Sequence, residues 1–159
     1  MKRLVIKFGG TSVGNIEKIK KVANIVKKRF EEGNEIIVVV SAMSGETNKL
    51  NTKAQSITQN FDNKELDVLL SSGEQVSSSL LSGALIDLGI KARSWLGWQI
   101  PIITDDNYTF SKIIKIKTDE ILNFISQKGV AVIAGFQGIS KENRITTLGR
   151  GGSDLSAVA

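Results

Sequence analysis

Short apolar runs alternate with longer stretches of helical spacing along this chain. Residues 3–8 (RLVIKF) are a run of strand length, followed at once by the glycine-rich loop GGTSVG. Ile16, Ile19, Val22, Val26 and Phe30 then recur every three or four residues. That spacing predicts a helix with Asn15 as its N-cap and Gly33 at its end. Residues 35–40 (EIIVVV) predict a second buried strand, with SAMSGETN as the loop after it. Strand, helix and strand in this order predict a parallel pair with a right-handed crossover.

Leu66, Leu69 and Leu70 predict a short helix; Val76, Leu80, Leu81, Ala84, Leu85 and Leu88 predict a longer one closed by Gly89. Residues 91–96 (KARSWL) are a strand candidate, and residues 97–117, which hold the only proline, Pro101, read as irregular or short-stranded. Ile121, Leu122, Phe124 and Ile125 suit a helix ending near Gly129, and residues 130–136 (VAVIAGF) another buried strand. A polar turn (SKENR) leads into TTLGRGGSD, after which DLSAVA starts like a helix. About one turn of helix cannot stand alone, so the chain is expected to be truncated on its C-terminal side. The whole pattern predicts one α/β domain over residues 1–159 with a mainly parallel sheet, without repeats or linkers.

Composition narrows the chemistry. The chain has 159 residues, 41% of them hydrophobic and 23% charged, which is globular rather than disordered. It has no cysteine and no histidine. Disulfides, Cys/His zinc sites and histidine base catalysis are therefore excluded, leaving carboxylates, Lys, Arg, hydroxyls and backbone amides. The lack of cysteine fits the cytoplasm. Lys7 breaks the first apolar run too early for a signal peptide, and no stretch is long enough to span a membrane. Asn107-Tyr108-Thr109 matches a glycosylation acceptor, but nothing else suggests secretion. The net charge of +5 is partly one run, Lys18 to Arg29, which reads as a solvated helix face. Few aromatics accompany it and no nucleic-acid motif is present, so no nucleic-acid partner is expected.

Ligands of open parallel sheets gather beyond the carboxyl ends of the strands. Polar clusters fall at such places: Lys7 to Ser12, Ser41 to Gly45, Phe136 to Gly138, and Leu148 to Asp154. Paired glycines let the backbone approach an anion, and a nearby Lys or Arg adds charge. These clusters point to carboxylate and phosphate recognition. The common nucleotide motifs are missing: neither G-x-x-x-x-G-K-[ST] nor G-x-G-x-x-G follows a strand, and the protein-kinase set is absent.

KFGGTSV at 7–13, SAMSG at 41–45, Gly73-Glu74 and TTLGRGGSD at 146–154 stand in that order over the whole chain. In these blocks the chain resembles the aspartate kinases, within the amino-acid kinase superfamily. The resemblance implies a three-layer α/β/α fold. It also implies phosphoryl transfer from ATP, with Mg²⁺, to the side chain of L-aspartate, the first step of lysine, threonine and methionine synthesis. Lys7 would bridge the ATP phosphates, and Phe8, Gly9, Gly10 and Ser41 would line the phosphate site. Thr47 and Glu74 would hold aspartate, Glu74 through the amino group. Arg150 would clamp a carboxylate, supported by Gly151, Gly152 and Ser153. Phe136 would wall the pocket, and Asp154 would orient Lys7 and help place the metal, with no dedicated protein metal site. Glu46 stands where the family has an apolar residue and would repel aspartate if it faced the pocket. Family members continue into a nucleotide-binding half and ACT regulatory domains, both expected to be absent here.

A carboxylate nucleophile, with a reference pKa of about 3.9, is ionised at neutral pH and needs no general base, which suits a chain without histidine. Taken alone, the residues leave other readings open. Ser71 and Glu74 match a capping box, so Glu74 reads as a helix cap. Arg150 could pair with Asp154 on the surface. The chain could also be an inactive remnant or an amino-acid-binding module without kinase activity. An open sheet edge leaves self-association open.

Overall fold

A computed structural model of the protein describes residues 2–149 and 151–159. Two apolar runs, β1 (Arg3–Phe8) and β2 (Glu35–Val40), pair in parallel along their whole length, from Arg3 opposite Glu35 to Phe8 opposite Val40. Between them runs α1 (Ile16–Glu31), whose N-cap Asn15 accepts a hydrogen bond from the Lys18 amide at 2.9 Å. Gly33, at φ 84°, lets the chain turn from α1 into β2, a left-handed conformation that favours glycine. The basic run of α1 is a solvated face: Lys18 Nζ donates to the Thr11 carbonyl, and Lys27 and Arg29 pair with Glu31 and Glu32.

β6 (Val130–Ala134) pairs with the other edge of β2, and β3 (Ala92–Trp95) with β6, giving a parallel sheet in the order β1-β2-β6-β3. The two-residue period splits the core between the sheet's faces. Ile36, Val38, Val40, Val130 and Val132 pack against α1 and the helix α3 (Asn63–Asp87) with Val22, Val26, Leu81 and Leu85. Val39, Ala131 and Ile133 point the other way, towards Ile121 and Ile125 of α4 (Asp119–Ser126) and towards Trp95. Each fully buried Val or Ile contributes about 1.5–3 kcal/mol, so this two-sided strand sandwich is the main cohesive force. The helix α5 (Gly152–Val158) packs on β1 and β2, on the α4 side. The layers and the parallel sheet are those expected of an α/β/α fold.

A second sheet, in the order β5-β4-β7-β8, was not foreseen in full. Its strands are β4 (Ile102–Thr104), β5 (Ile113–Ile116), β7 (Gln137–Ile139) and β8 (Ile145–Thr147). β4 and β7 run parallel, and the other two pairs are antiparallel. β4 and β5 lie in the segment expected to be irregular or short-stranded, but β8 overlaps the start of the TTLGRGGSD block, for which no strand was expected. The strand expected over 130–136 stops at Ala134, because the chain turns at Gly135 and Phe136 before β7.

Two helices correct the sequence reading. The loop read over 41–48 ends early, at the start of an unforeseen helix, α2 (Glu46–Ile57), in which only Leu50 and Ala54 are buried, too weak a stripe to register. The two helices expected around Leu66 and Leu80 are one, α3, of 25 residues. Ser71 and Ser72 do not interrupt it; their hydroxyls donate to the Val68 and Leu69 carbonyls. A glycine inside a helix costs about 1 kcal/mol, and here it allows a close contact, since a Cβ on Gly73 would lie 2.8 Å from the Ala42 Cβ. The capping-box reading of Ser71 and Glu74 therefore fails. The N-cap is Asp62, which accepts from the Lys64 and Glu65 amides, and Glu74 lies near the middle of the helix.

Candidate active site

The carboxyl end of the parallel sheet gathers three loops and two helices. β1 ends at Phe8, and the following turn closes through Ser12 and Val13 amides on the Gly9 carbonyl. Gly10 lies against the loop after β2: a Cβ there would meet the Ala42 carbonyl oxygen at 2.8 Å, and the Ser44 amide donates to the Gly10 carbonyl. Glycine at this position is therefore a packing requirement, beyond the freedom a turn needs. The Ser41 amide donates to the Phe8 carbonyl, which fixes the two strand ends side by side.

Lys7 projects from β1 towards α5 and pairs with Asp154 at 2.8 Å. Its side chain is 28% exposed and that of Asp154 is 67% exposed, so the cation faces a solvent-accessible rim. A Cβ on Gly9 would lie 3.4 Å from the Lys7 Nζ, so the first glycine keeps the space beside the ammonium clear. Asp154 is thus held by Lys7. Arg150 itself lies outside the described residues.

A cavity of about 230 Å³ opens between these loops, lined by Ser41, Thr47, Glu74, Phe136, Gly149, Gly151, Gly152 and Ser153. Ser41 and Ser153 hydroxyls join across it at 2.7 Å. Thr47 enters from the first turn of α2. Glu46, one residue earlier, does not line the cavity; its carboxylate pairs with Lys49 at 3.5 Å, so the feared repulsion does not arise. Phe136 stands at φ 72°, a rare conformation for a residue with a bulky side chain. It is held there by its amide, which donates to the Ser156 hydroxyl, and by its carbonyl, which accepts from the Leu148 amide. Gly152 makes room for it: a Cβ there would sit 2.8 Å from the Phe136 ring.

Glu74 is the most unusual group in the site. It is buried, at 4% exposure, with no cation beside it among the described residues. One oxygen accepts from the Ala42 amide at 3.0 Å; the other, Oε2, has no partner among the described residues. Burial raises its pKa to about 7, against the Ala42 hydrogen bond that pulls it down. A buried acceptor without a donor is costly and marks a place for a ligand or water. A cationic donor of a small molecule would satisfy it.

Among the expected site residues, the structure brings Lys7, Phe8, Gly9, Gly10, Ser41, Thr47, Glu74, Phe136, Gly151, Gly152, Ser153 and Asp154 to one end of the sheet. Two residues there were not anticipated. Ser156 binds the Phe136 amide and donates to the Gly152 carbonyl at 2.8 Å, which clamps the strand end to α5. Asp67, fully buried on α3, accepts from the Thr109 amide and from the amide and hydroxyl of Thr147. An aspartate amid Leu66, Leu69 and Leu70 was the one available signal, since a carboxylate among apolar helix positions must find donors.

The model of the amino acid kinase family matches residues 2–159. The chain is 49% identical to an aspartokinase of Rickettsia felis, over 99% of its own length and 40% of the relative's. It is 50% identical to the aspartate kinase Ask_LysC of Stutzerimonas stutzeri, over its full length and 39% of the relative's. It thus spans about two fifths of the curated relatives it matches. Among solved structures, the aspartate kinase of Synechocystis superposes with a TM-score of 0.84 at 42% identity, over 99% of this chain and 25% of that one. The E. coli aspartokinase III solved with aspartate and ADP shares the fold, with a TM-score of 0.79 at 22% identity, over 94% of this chain and 44% of that one.

Proposed function

The chain belongs to the amino acid kinase family, and on that footing we propose that it forms the substrate-binding part of an aspartate kinase. The reaction moves the γ-phosphoryl group of ATP to the side-chain carboxylate of L-aspartate, giving 4-phospho-L-aspartate and ADP, at the head of the aspartate-derived amino acids. The observation that carries this reading is Glu74 Oε2, without a partner among the described residues, in a small cavity lined by the Ser41, Thr47 and Ser153 side chains. A protonated α-amino group is the donor that such a buried carboxylate lacks. Relatives about half identical to the chain, named as aspartokinases, support the substrate.

The roles follow from charge and position. Glu74 receives the α-ammonium, and the Thr47 hydroxyl, with Arg150 and the Gly151–Gly152 backbone, receives the α-carboxylate. Phe136 walls the cavity, and Ser153, tied to Ser41, sets its floor. The side-chain carboxylate, already ionised, attacks the γ-phosphorus. An oxygen–phosphorus bond forms as the bond from phosphorus to the β,γ-bridging oxygen breaks, and ADP takes the electron pair. No proton moves, so what remains is to hold two anions together and offset the charge on the transferring group. Lys7 supplies that charge from beside the Gly9-Gly10 turn, and Asp154 aims it. Phe8, Gly9, Gly10 and Ser41 line the phosphate side.

Mg²⁺ enters this reading as the usual companion of ATP phosphates. Among the described residues no group of three or more acidic, His or Cys side chains is placed to hold a metal, and Asp154 is engaged by Lys7. Mg²⁺ is held through one or two carboxylates together with the phosphates it accompanies, so the exposed Asp154 is the residue that would help place it, and no step is assigned to the ion. Among the described residues no helix is long and apolar enough to cross a membrane; we place the reaction in the cytoplasm, with its ATP. A binding module without nucleotide would leave the Lys7–Asp154 pair at the strand end without a task.

The test is an acyl-phosphate assay on the full-length protein that carries this chain, with hydroxylamine as the trap. ATP-dependent aspartyl hydroxamate, absent with L-glutamate, is the expected result. A folded protein that makes none, or as much from glutamate, overturns the substrate assignment.

A further inference from the structure

We propose that Asp67 is a positioning residue that fixes the loop of the candidate site to the helix bearing Glu74. The inference rests on the reading of the cavity given above and extends it to a residue outside that cavity. Asp67 and Glu74 lie on α3, seven residues apart, about 10 Å along the axis. A helix of that length is a rigid rod, so a loop tied at Asp67 keeps its register with the Glu74 carboxylate.

Both oxygens of Asp67 are occupied, and every partner belongs to another element. The Thr147 hydroxyl donates to Oδ1 at 2.6 Å, and the Thr147 amide to Oδ2 at 2.9 Å. Thr147 is the last residue of β8, two residues before Gly149, where the cavity wall begins. The Thr109 amide donates to both oxygens, at 3.1 and 3.0 Å. Thr109 stands at φ 69°, a true outlier for a β-branched residue, of a kind that persists only where the surroundings hold it. Its carbonyl and Phe110 lie directly against Gly149: a Cβ on Gly149 would meet the Phe110 ring at 2.9 Å and the Thr109 oxygen at 3.1 Å. The Ser111 amide closes the assembly on the Thr147 carbonyl at 2.9 Å. One carboxylate thus holds a strained turn and a strand end, and together these seat Gly149.

Burial alone does not call for this arrangement. A leucine would fill the helix position without the desolvation that raises the Asp67 pKa against its three donors. What the carboxylate adds is direction: three donors, one from a turn and two from a strand end, converge on it.

Native-state hydrogen exchange on Asp67→Asn and Thr147→Val tests the proposal, with L-aspartate titrated into the same samples. An asparagine keeps the volume but offers an N–H₂ where a donor already points. The expected result is local: amides of residues 107–111 and 145–149 lose at least tenfold protection through openings insensitive to denaturant. Amides of β2 and β6 should exchange only through global unfolding. Thr147→Val, which removes one of the three donors, should show a smaller loss at the same amides. Loss in parallel at every amide, or no local loss in either variant, overturns the positioning role and leaves Asp67 a packing residue. If local release occurs while the unaltered chain binds no aspartate, the latch stands and the substrate reading fails. If aspartate binds the unaltered chain, its affinity should fall at least tenfold in Asp67→Asn; unchanged affinity despite local release also overturns the role.

Discussion

Replacing Glu74 with glutamine is expected to stabilise the fold at pH 8 by about 3 kcal/mol while removing aspartate binding. The sign follows from linkage. The folded-state pKa of Glu74 is raised from 4.5 to about 7, so the native state holds the proton more tightly than the unfolded chain does. The stability that goes with the protonated group is complete below pH 4.5. It is lost as the pH rises to about 7, above which the chain carries a buried, ionised carboxylate. A shift of about 2.5 units corresponds to about 3 kcal/mol. Glutamine is neutral throughout and can keep the Ala42 hydrogen bond through its carbonyl, while its amide faces the cavity. Asp67 is raised in the same direction, but it is common to both proteins and cancels. Urea unfolding at pH 4.5 and pH 8 reads the effect: the two proteins should converge at the lower pH and separate at the higher. A Glu74→Gln protein less stable than its parent at pH 8 would mean that the carboxylate has a partner in solution. Greater stability bought at the cost of ligand binding is what a strained functional site predicts.

Lys7 should behave in the opposite way, dispensable for folding and required for chemistry. Its partner Asp154 is 67% exposed, and exposed ion pairs contribute about 0–1 kcal/mol, so Lys7→Met should unfold within about 1 kcal/mol of its parent. In the full-length enzyme the same change removes the charge placed on the transferring phosphoryl group, and losing one such donor costs about 10²–10³ in kcat. The KM for aspartate should hardly move, because Glu74 and the 149–153 loop are untouched. Turnover within tenfold of the parent would remove Lys7 from the phosphate side of the site.

Much of this architecture was legible where the physics is local. The strands β1, β2 and β6 read from their apolar runs, and α1 from its spacing, its Asn15 cap and Gly33, although β1, whose apolar run read as buried, is an edge strand with Val5 half exposed. The reading failed where tertiary contacts decide. α3 continues through Ser71, Ser72 and Gly73 because the glycine packs on Ala42, a contact that no window of sequence contains. α2 is polar on most sides and buries only Leu50 and Ala54. β8 overlaps the start of a block for which no strand was expected, yet it pairs with β7 from Gln137–Thr147 to Ile139–Ile145. In the site, family resemblance marked Glu74 as a ligand while its own neighbourhood suggested a helix cap. Only the fold removes the cap reading, by capping the helix at Asp62 and placing Glu74 near its middle with the carboxylate buried. Asp67 was missed because its three donors lie 42 and 80 residues away in sequence.

The most direct measurement is a calorimetric titration of L-aspartate into this chain at pH 6, 7 and 8, in buffers of different ionisation enthalpy. With a Glu74 pKa of about 7, the group is about half protonated at pH 7 and must ionise to receive an ammonium, so binding should release about half a proton. Only the ionised fraction is competent, so affinity should fall about tenfold from pH 8 to pH 6. Glu74→Gln should abolish both effects together with most of the binding. Saturable binding with no proton release, or with the same affinity in Glu74→Gln, would contradict the placement of the amino group at Glu74. No binding by a demonstrably folded chain would contradict the assignment of these residues as an aspartate site.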